Sequence, residues 1–309
     1  MKRYIDMIVV IICSLFLILF IINRELVFNT VGFSLDIWIT SVLPALFPFF
    51  VISDILISYD VIRYIPKVIK NLFKKLFNVS DNGLVVIILS MLSGFPSNAR
   101  NIKNMYNSNK ISKKEGEHLL YFTHFSNPMF ILGTLVSIFL KKKELGLIIF
   151  ISHYLPNIII GILLRKLNTN KLDTNYNNDI NNNFGLVLTK SIRKSLDSVF
   201  NILGTLTVFL IISSLLINVF NFNNGISLLI KSILELTSGL KELSNFNLSN
   251  SYLVIASSCI LSFGGLSVHM QVINELSDTD ISYSNFFIGR IIQVILSLVV
   301  SYILCLFTF

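Results

Sequence analysis

The chain has 309 residues, of which 53% are hydrophobic and only 14% charged, and its mean hydropathy is +0.74. That composition excludes an ordinary soluble globular domain and indicates an integral membrane protein. The formal net charge of +8 does not argue for nucleic acid, because the basic residues fall in short clusters beside apolar runs, where the positive-inside rule places them.

Met1-Lys2-Arg3 precedes an apolar run at 7–22, and Asn23-Arg24-Glu25-Leu26 follows without a small-residue cleavage site. Residues 1–25 therefore read as a retained membrane anchor with a cytoplasmic N-terminus. The stretch 26–39 is too polar to span and is expected at the outer interface, with Trp38 as an interfacial anchor. Residues 42–58 span despite Pro44 and Pro48, which kink a helix and free carbonyls that neighbours or a polar cavity must satisfy.

An amphipathic helix is predicted over 61–77. Val61, Ile65, Val68, Ile69, Leu72 and Leu76 share one face, and Arg63, Lys67, Lys70 and Lys74 share the other. Such a helix lies on an anionic, cytoplasmic membrane surface. Residues 84–92 make half a span and stop at Ser93-Gly94-Phe95-Pro96-Ser97-Asn98-Ala99-Arg100; the basic residues Lys103, Lys110, Lys113 and Lys114 follow. A re-entrant hairpin entering from the cytoplasm fits this order. Ser112-Lys113-Lys114-Glu115 has the pattern of a capping box, so a helix begins near Ser112.

Residues 130–140 climb outward and 145–164 return, which leaves Lys141-Lys142-Lys143 outside, against the charge rule. The Asn-rich stretch 168–184 reads as a cytoplasmic linker. Beyond it, 199–219 spans outward, 226–243 is amphipathic, 252–261 is a second half-span ending at Ser262-Phe263-Gly264-Gly265-Leu266-Ser267-Val268-His269, and 286–307 spans last. The expected sum is six spans and two hairpins.

Residues 41–57 overlay 201–217, and the two polar knots overlay each other, Ser93–Arg100 on Ser262–His269. The expected fold is thus an all-α polytopic membrane protein. Two repeats, 26–167 and 185–309, are related by inversion and carry re-entrant half-helices and interfacial amphipathic helices. Interrupted apolar segments at matching places in two halves point to a binding site near the bilayer midplane.

Several of these segments carry a resemblance. Leu43-Pro44-Ala45-Leu46-Phe47-Pro48-Phe49, the Ser93–Ala99 knot, and Phe125-Ser126-Asn127-Pro128-Met129-Phe130-Ile131-Leu132-Gly133 resemble the YlbJ-type sporulation integral membrane proteins. So do Ser152-His153-Tyr154, Leu234-Glu235-Leu236-Thr237-Ser238-Gly239 and Phe263-Gly264-Gly265-Leu266-Ser267-Val268-His269-Met270-Gln271. The resemblance runs from about Ser41 to the C-terminus. That family carries the nucleoside recognition, or Gate, domain, similar to part of the concentrative nucleoside transporters and to the membrane gate of ferrous-iron transport proteins. The resemblance implies two Gate-type repeats in a membrane protein of endospore-forming bacteria, needed late in spore formation. It supplies no substrate. Where the family commonly has Gly-Ala-Pro, this chain has Gly94-Phe95-Pro96.

The candidate site residues follow from the knots. Ser93, Gly94, Pro96, Ser97 and Asn98 surround a helix restart whose first N–H groups would point into the membrane interior, against the plainer reading of a loop that only caps itself. Ser262, Gly264, Gly265 and Ser267 repeat the arrangement, with His269 and Gln271 following. Glu235 and Thr237 lie between apolar residues, and the resemblance to nucleoside transporters implies substrate or ion contact for such an acidic motif. The alternative is an interfacial Glu235 facing water beside Lys231. Asn127, before Pro128, can present an amide to a cavity or simply start a helix.

Arg290 is favoured as a snorkelling anchor over a partner for Glu235 or Asp54. The four histidines, His118, His124, His153 and His269, lack ligand spacing, and Cys13, Cys259 and Cys305 read as buried small hydrophobes, so no metal site is expected. No cofactor is expected either. No nucleotide-binding loop, hydrolase elbow or paired-carboxylate pattern occurs, and an enzyme is not expected.

Two functions of different class remain. One is a transporter-like protein that binds or moves a small polar solute, nucleoside-like by resemblance, with a coupling ion. The other is a non-transporting scaffold or signalling protein for spore assembly, working through the basic helix 61–77 and the linker. Besides the bilayer, the expected partners are that solute and ion, a second copy of the chain, or other sporulation membrane proteins; nucleic acid is not among them.

Overall fold

The computed structural model describes residues 2–168 and 183–309, and among these every regular element is helical. Most of the linker expected at 168–184 lies outside the described residues. Six helices are long and apolar enough to cross a bilayer: Tyr4–Ile22, Arg24–Ser58, Lys143–Leu163, Phe184–Phe220, Asn250–Leu276 and Ser284–Thr308. The chain is therefore a polytopic helical membrane protein.

The anchor helix α1 (Lys2–Ile22) stands apart and buries none of its apolar window. After Asn23, α2 (Arg24–Ile37), a π-helical turn (Trp38–Val42) and α3 (Leu43–Ser58) form one continuous rod. This corrects the interfacial reading of 26–39. Trp38 is buried, donates its indole N–H to the Val199 carbonyl (2.9 Å) and stacks on Phe200, so it anchors the rod to a neighbouring helix and not to the interface.

The amphipathic segment 61–77 is broken where the sequence predicts one helix. Ile65 is extended before Pro66, and only Lys67–Phe77 (α4) is α-helical. Asn78, in the left-handed region (φ 57°), ends α4, and the chain turns by 88° into α5 (Asp81–Ser93). The Ser80 hydroxyl caps α5 by accepting from Gly83 N (3.1 Å). Next come α6 (Ser97–Asn107) and α7 (Lys113–Phe122), the latter started at Ser112 as its capping pattern predicts, with the hydroxyl accepting from Glu115 N (3.1 Å). An irregular stretch leads to the π-helical segment Phe130–Phe139, and α8 (Gly146–Leu163) follows.

The second half opens on α9 (Phe184–Phe220), which begins well before the span predicted at 199 because its first turns project at the basic end. The amphipathic stretch 226–243 is two helices, α10 (Asn224–Leu234) and α11 (Leu236–Leu243), broken at Glu235. Then come α12 (Asn250–Phe263), α13 (Gly265–Leu276) and α14 (Ser284–Thr308). Cys13 is exposed on α1 and Cys259 half-buried, so only Cys305 meets the expectation of a buried cysteine.

Polar contacts define two ends. At one, Asp60 meets Arg63 (2.9 Å) and Lys110 (3.2 Å), Lys103 meets Asp278 (2.9 Å), and Arg165 donates to the Lys75 carbonyl (3.2 Å). Lys103 beside Asp278, and Tyr106 donating to Asp280, hold both carboxyls below their ordinary range. At the other end Asn218 donates to Asn23 (2.9 Å) and Lys142 to Asn250 (2.6 Å). Lys67, Lys70, Lys74, Lys110, Lys113, Lys190 and Lys194 crowd toward the first end, which is the cytoplasmic one by the positive-inside rule.

Candidate functional site

Four interruptions place backbone and small side chains inside the helix bundle. The first follows α5: Gly94 has φ 75°, the Phe95–Pro96 peptide is cis, and α6 restarts at Ser97. The second is the irregular stretch from Thr123 to Asn127, where Phe125 N turns back to the Thr123 carbonyl (3.0 Å) and Pro128 disfavours helix at Asn127. The third is Glu235, extended between α10 and α11 (φ −143°, ψ 117°). The fourth is Gly264 (φ 86°) and Gly265 (φ 72°), between α12 and α13.

The interruptions meet in pairs. Phe95 N donates to the Phe125 carbonyl (2.9 Å), and a Cβ on Gly94 would lie 2.5 Å from Asn127 N. The Asn127 amide donates to the Leu92 carbonyl (3.1 Å), covering the open end of α5. Likewise a Cβ on Gly265 would lie 2.9 Å from Leu236 N. Glu235 caps its own downstream helix: its carboxylate accepts from Thr237 N (2.9 Å) and Ser238 N (2.6 Å). Lys231 turns instead to Glu242 (2.8 Å), so the water-facing reading of Glu235 does not hold: the residue is 3% exposed.

The first three interruptions and helix α13, which starts at the fourth, border one cavity, which offers about 50 Å³ to water-sized groups. Ser126, Asn127, Glu235, Thr237, Ser267 and Gln271 line it with Phe95, Phe130, Val42, Leu46, Ile202, Leu206, Leu236 and Val268, and its surface is mostly apolar. Gln271 is steadied by donating to Thr205 Oγ1 (2.9 Å), while the Ser126 hydroxyl has no partner among the described residues.

Behind the cavity a hydrogen-bonded chain holds the second interruption. Ser126 N donates to His153 Nε2 (2.9 Å), so the His153 proton sits on Nδ1 and goes to Ser262 Oγ (3.2 Å). Ser262 in turn meets Ser297 Oγ (2.6 Å), which donates to the Ser152 carbonyl (2.9 Å). Asn157 donates to the His124 carbonyl (2.6 Å), and the Tyr154 hydroxyl lies 2.7 Å from the Met91 carbonyl and 2.8 Å from that of Ser126. Helix α8 thus carries the side chains that satisfy an otherwise naked strand of backbone. Tyr154→Phe is expected to lower stability by about 1–3 kcal/mol by orphaning these carbonyls, read as a fall in the melting midpoint in detergent.

Arg290 corrects the snorkelling expectation. It is fully buried, donates to the Tyr121 carbonyl (3.0 Å) and to the Gln293 side-chain oxygen, and lies 5.0 Å from the Phe286 ring centre. No carboxylate comes within ion-pair reach of it among the described residues, so neither Glu235 nor Asp54 is its partner; Asp54 pairs with Arg100. The cause is Gly289, where a Cβ would lie 2.3 Å from the Tyr121 carbonyl: α14 touches the chain at that point and carries Arg290 inward.

Of the residues singled out in the sequence, Asn127, Glu235, Thr237, Ser267 and Gln271 line the cavity together. Ser93 and Ser97 bond to each other beneath it, Gly94, Pro96, Gly264 and Gly265 shape the chain, and Asn98 is buried without a partner among the described residues. Ser262 belongs to the chain behind the cavity. His269 is tied to Tyr283 Oη (2.5 Å) and the Phe263 carbonyl (3.0 Å), away from the void. Sequence reading missed Phe95 and Ser126 as lining residues; the Pro-flanked Gly94-Phe95-Pro96 and Ser126-Asn127-Pro128 runs were the available signals. It also missed that His124 and His153 come together, with ring centres 6.3 Å apart. Among the described residues no three His, Cys, Asp or Glu side chains gather as a metal site.

Helices interrupted inside the bundle, three of their breaks beside one mostly apolar cavity, mark this polytopic helical membrane protein. Residues 39–169 match the Gate family, described as nucleoside recognition. The chain is also 27% identical over 302 residues to the sporulation integral membrane protein YlbJ of Bacillus subtilis (strain 168), covering 84% of this chain and 72% of that protein. The resemblance to YlbJ-type proteins read from the motifs is thereby shown, and the chain is a multi-pass protein of the bacterial cell membrane. No solved structure matches it.

Proposed function

We propose that the chain is a transporter-like protein that binds and moves a small polar solute at the cavity between the two halves, and that it serves spore formation as its relative's name describes. The observation that carries this reading is that both halves face one void: Ser126 and Asn127 from the first, Glu235, Thr237, Ser267 and Gln271 from the second. A mostly apolar wall with the Phe95 and Phe130 rings, beside the Ser126 hydroxyl left without a partner among the described residues, suits a small solute with a flat apolar face and a polar edge. At about 50 Å³ the cavity holds little more than water, and a nucleoside-sized solute requires the interruptions to part.

The path of the chain supports two inverted repeats, 26–167 and 185–309, in a register different from the overlay of the two knots. In the first, α5 and α6 run from the basic end to the Gly94 turn and back, and α7 with Phe130–Phe139 crosses with its break at Ser126. In the second, α10 and α11 run from the opposite end to Glu235 and back, and α12 with α13 crosses with its break at Gly264. The Gly94 turn thus corresponds to Glu235, and the Asn127 break to Gly264; each turn touches the break that follows it. Alternating access would then be a rocking of one repeat against the other.

The test is a panel of nucleosides, bases, amino acids and small acids scored by thermal stabilisation of the purified protein and by uptake into proteoliposomes. A ligand at a hundred times its Kd stabilises by about 2.7 kcal/mol. Asn127→Ala, Thr237→Ala, Ser267→Ala and Gln271→Ala are each expected to weaken that response about tenfold or more. Binding or uptake that persists unchanged in all of them sinks the reading. A scaffold role is the second reading, favoured by α4, which leaves Val68 and Leu72 exposed beside its lysines. It gains if a well-folded protein answers to no solute.

A further inference from the structure

A second cavity lies at the basic end, between α3, α6 and α9, and offers about 440 Å³ to water-sized groups. That is ample for a ligand headgroup, within the roughly 300–1,000 Å³ of small-molecule sites. Its walls differ in kind from those of the central void: Asn104, Asn107 and Ser191 supply amides and a hydroxyl, and Lys110, Lys190 and Lys194 supply charge. Lys110 is engaged by Asp60 (3.2 Å), and Asp54, the acid on this wall, is engaged by Arg100. Lys190 and Lys194 have no carboxylate within ion-pair reach among the described residues. They stand one turn apart on the same face of α9, and Asp54 is near enough to Lys194 to interact with it but is paired with Arg100.

We propose that this cavity is a binding site for a phosphate-bearing anion, held by Lys190 and Lys194 with the neighbouring amides as hydrogen-bond donors. Lysine binds phosphate as a point charge, and basic pockets between helices on the cytoplasmic side of a membrane protein take anionic headgroups. The phosphate could come from a phospholipid or from a soluble compound, and the two sources are separable by experiment. The site does not depend on solute transport.

The full-length protein, purified in uncharged detergent, is titrated with short-chain phosphatidylglycerol, short-chain phosphatidylcholine, glycerol phosphate, inorganic phosphate and chloride at constant ionic strength. Melting midpoint and native mass are the readouts. Lys190→Gln with Lys194→Gln is compared with Lys74→Gln with Lys75→Gln, which removes equal charge from α4. Saturable binding that falls about tenfold or more in the first variant and not in the second supports the site. Stabilisation by phosphatidylglycerol alone assigns the lipid source; equal stabilisation by glycerol phosphate or inorganic phosphate assigns a soluble one. Lys190 and Lys194 are exposed, so the unliganded variant should melt as the parent does. The proposal is overturned if chloride acts as phosphate does, if no phosphate compound binds, or if both variants respond alike.

Discussion

Asp54→Asn is expected to lower stability by about 3–5 kcal/mol, the range for removing one partner of a buried ion pair. Asp54 on α3 and Arg100 on α6 are both buried and directly paired. The Arg100 guanidinium also donates to Ser198 of α9 (3.1 Å) and lies 5.6 Å from the Phe50 ring centre. The amide of the variant keeps the shape and removes the charge, so the guanidinium stays inside the protein uncompensated. The loss therefore belongs to the stranded charge and not to the worth of the pair. Asp54→Leu combined with Arg100→Met removes both charges at similar volume and should recover most of the lost stability. Thermal unfolding in detergent separates the two cases. If the single and double variants melt alike, the pair is not what the site depends on. Helices α3 and α9 line both the central cavity, through Leu46 and Ile202, and the basic cavity, through Asp54 and Lys194; α6 lines the basic one through Asn104.

How much of this was legible in the sequence depended on whether a local rule or a distant contact decided each element. The apolar runs gave five of the six long helices. Asn250–Leu276, read as a half-span ending in a hairpin, is long enough to cross, and Phe130–Phe139, read as a span, is short. The turn at Gly94 was legible because Gly-Phe-Pro-Ser interrupts an apolar run. The break at Glu235 was not. Residues 226–243 hold an unbroken helical period, and no Gly or Pro marks Leu234-Glu235-Leu236. What folds α11 back on α10 is Gly239, where a Cβ would lie 2.5 Å from Ser232 Cα, a contact between helices that periodicity does not encode. Trp38 and Arg290 were misplaced for one shared reason. Both residue types favour interfaces, and here each is drawn inward by a partner far along the chain, the Val199 and Tyr121 carbonyls. The candidate site was half legible. Its polar residues sit beside breakers that the sequence displays, but which breaks face each other was fixed by packing.

Gly94→Ala is expected to be the most damaging single-methyl change at the site. With φ 75° and ψ −176°, Gly94 occupies a region essentially reserved for glycine, and a side chain there costs about 1–3 kcal/mol. The new Cβ would also meet Asn127 N at 2.5 Å and Asn127 Cα at 2.9 Å; these are backbone atoms that no rotamer change removes, and overpacking adds about 1–3 kcal/mol. The strain is relieved only if the 123–127 strand moves off the α5 turn. That strand carries Ser126 and Asn127 to the cavity, and Asn127 covers the carbonyls of Leu92 and Ser93. The variant should therefore lose ligand response beyond what its lowered melting midpoint explains. Gly265→Ala, at φ 72° and 2.9 Å from Leu236 N, should show the same pattern more mildly from the other half. Gly204→Ala on α9 is the control, since nothing lies within 4 Å of its added methyl; there a helical glycine gives way to a better helix former. The order of melting midpoints should run Gly204→Ala highest, Gly265→Ala next and Gly94→Ala lowest. A Gly94→Ala protein that melts and binds like the Gly204→Ala control would mean that the turn and the strand do not hold each other. The convergence of the interruptions would then lose its physical basis.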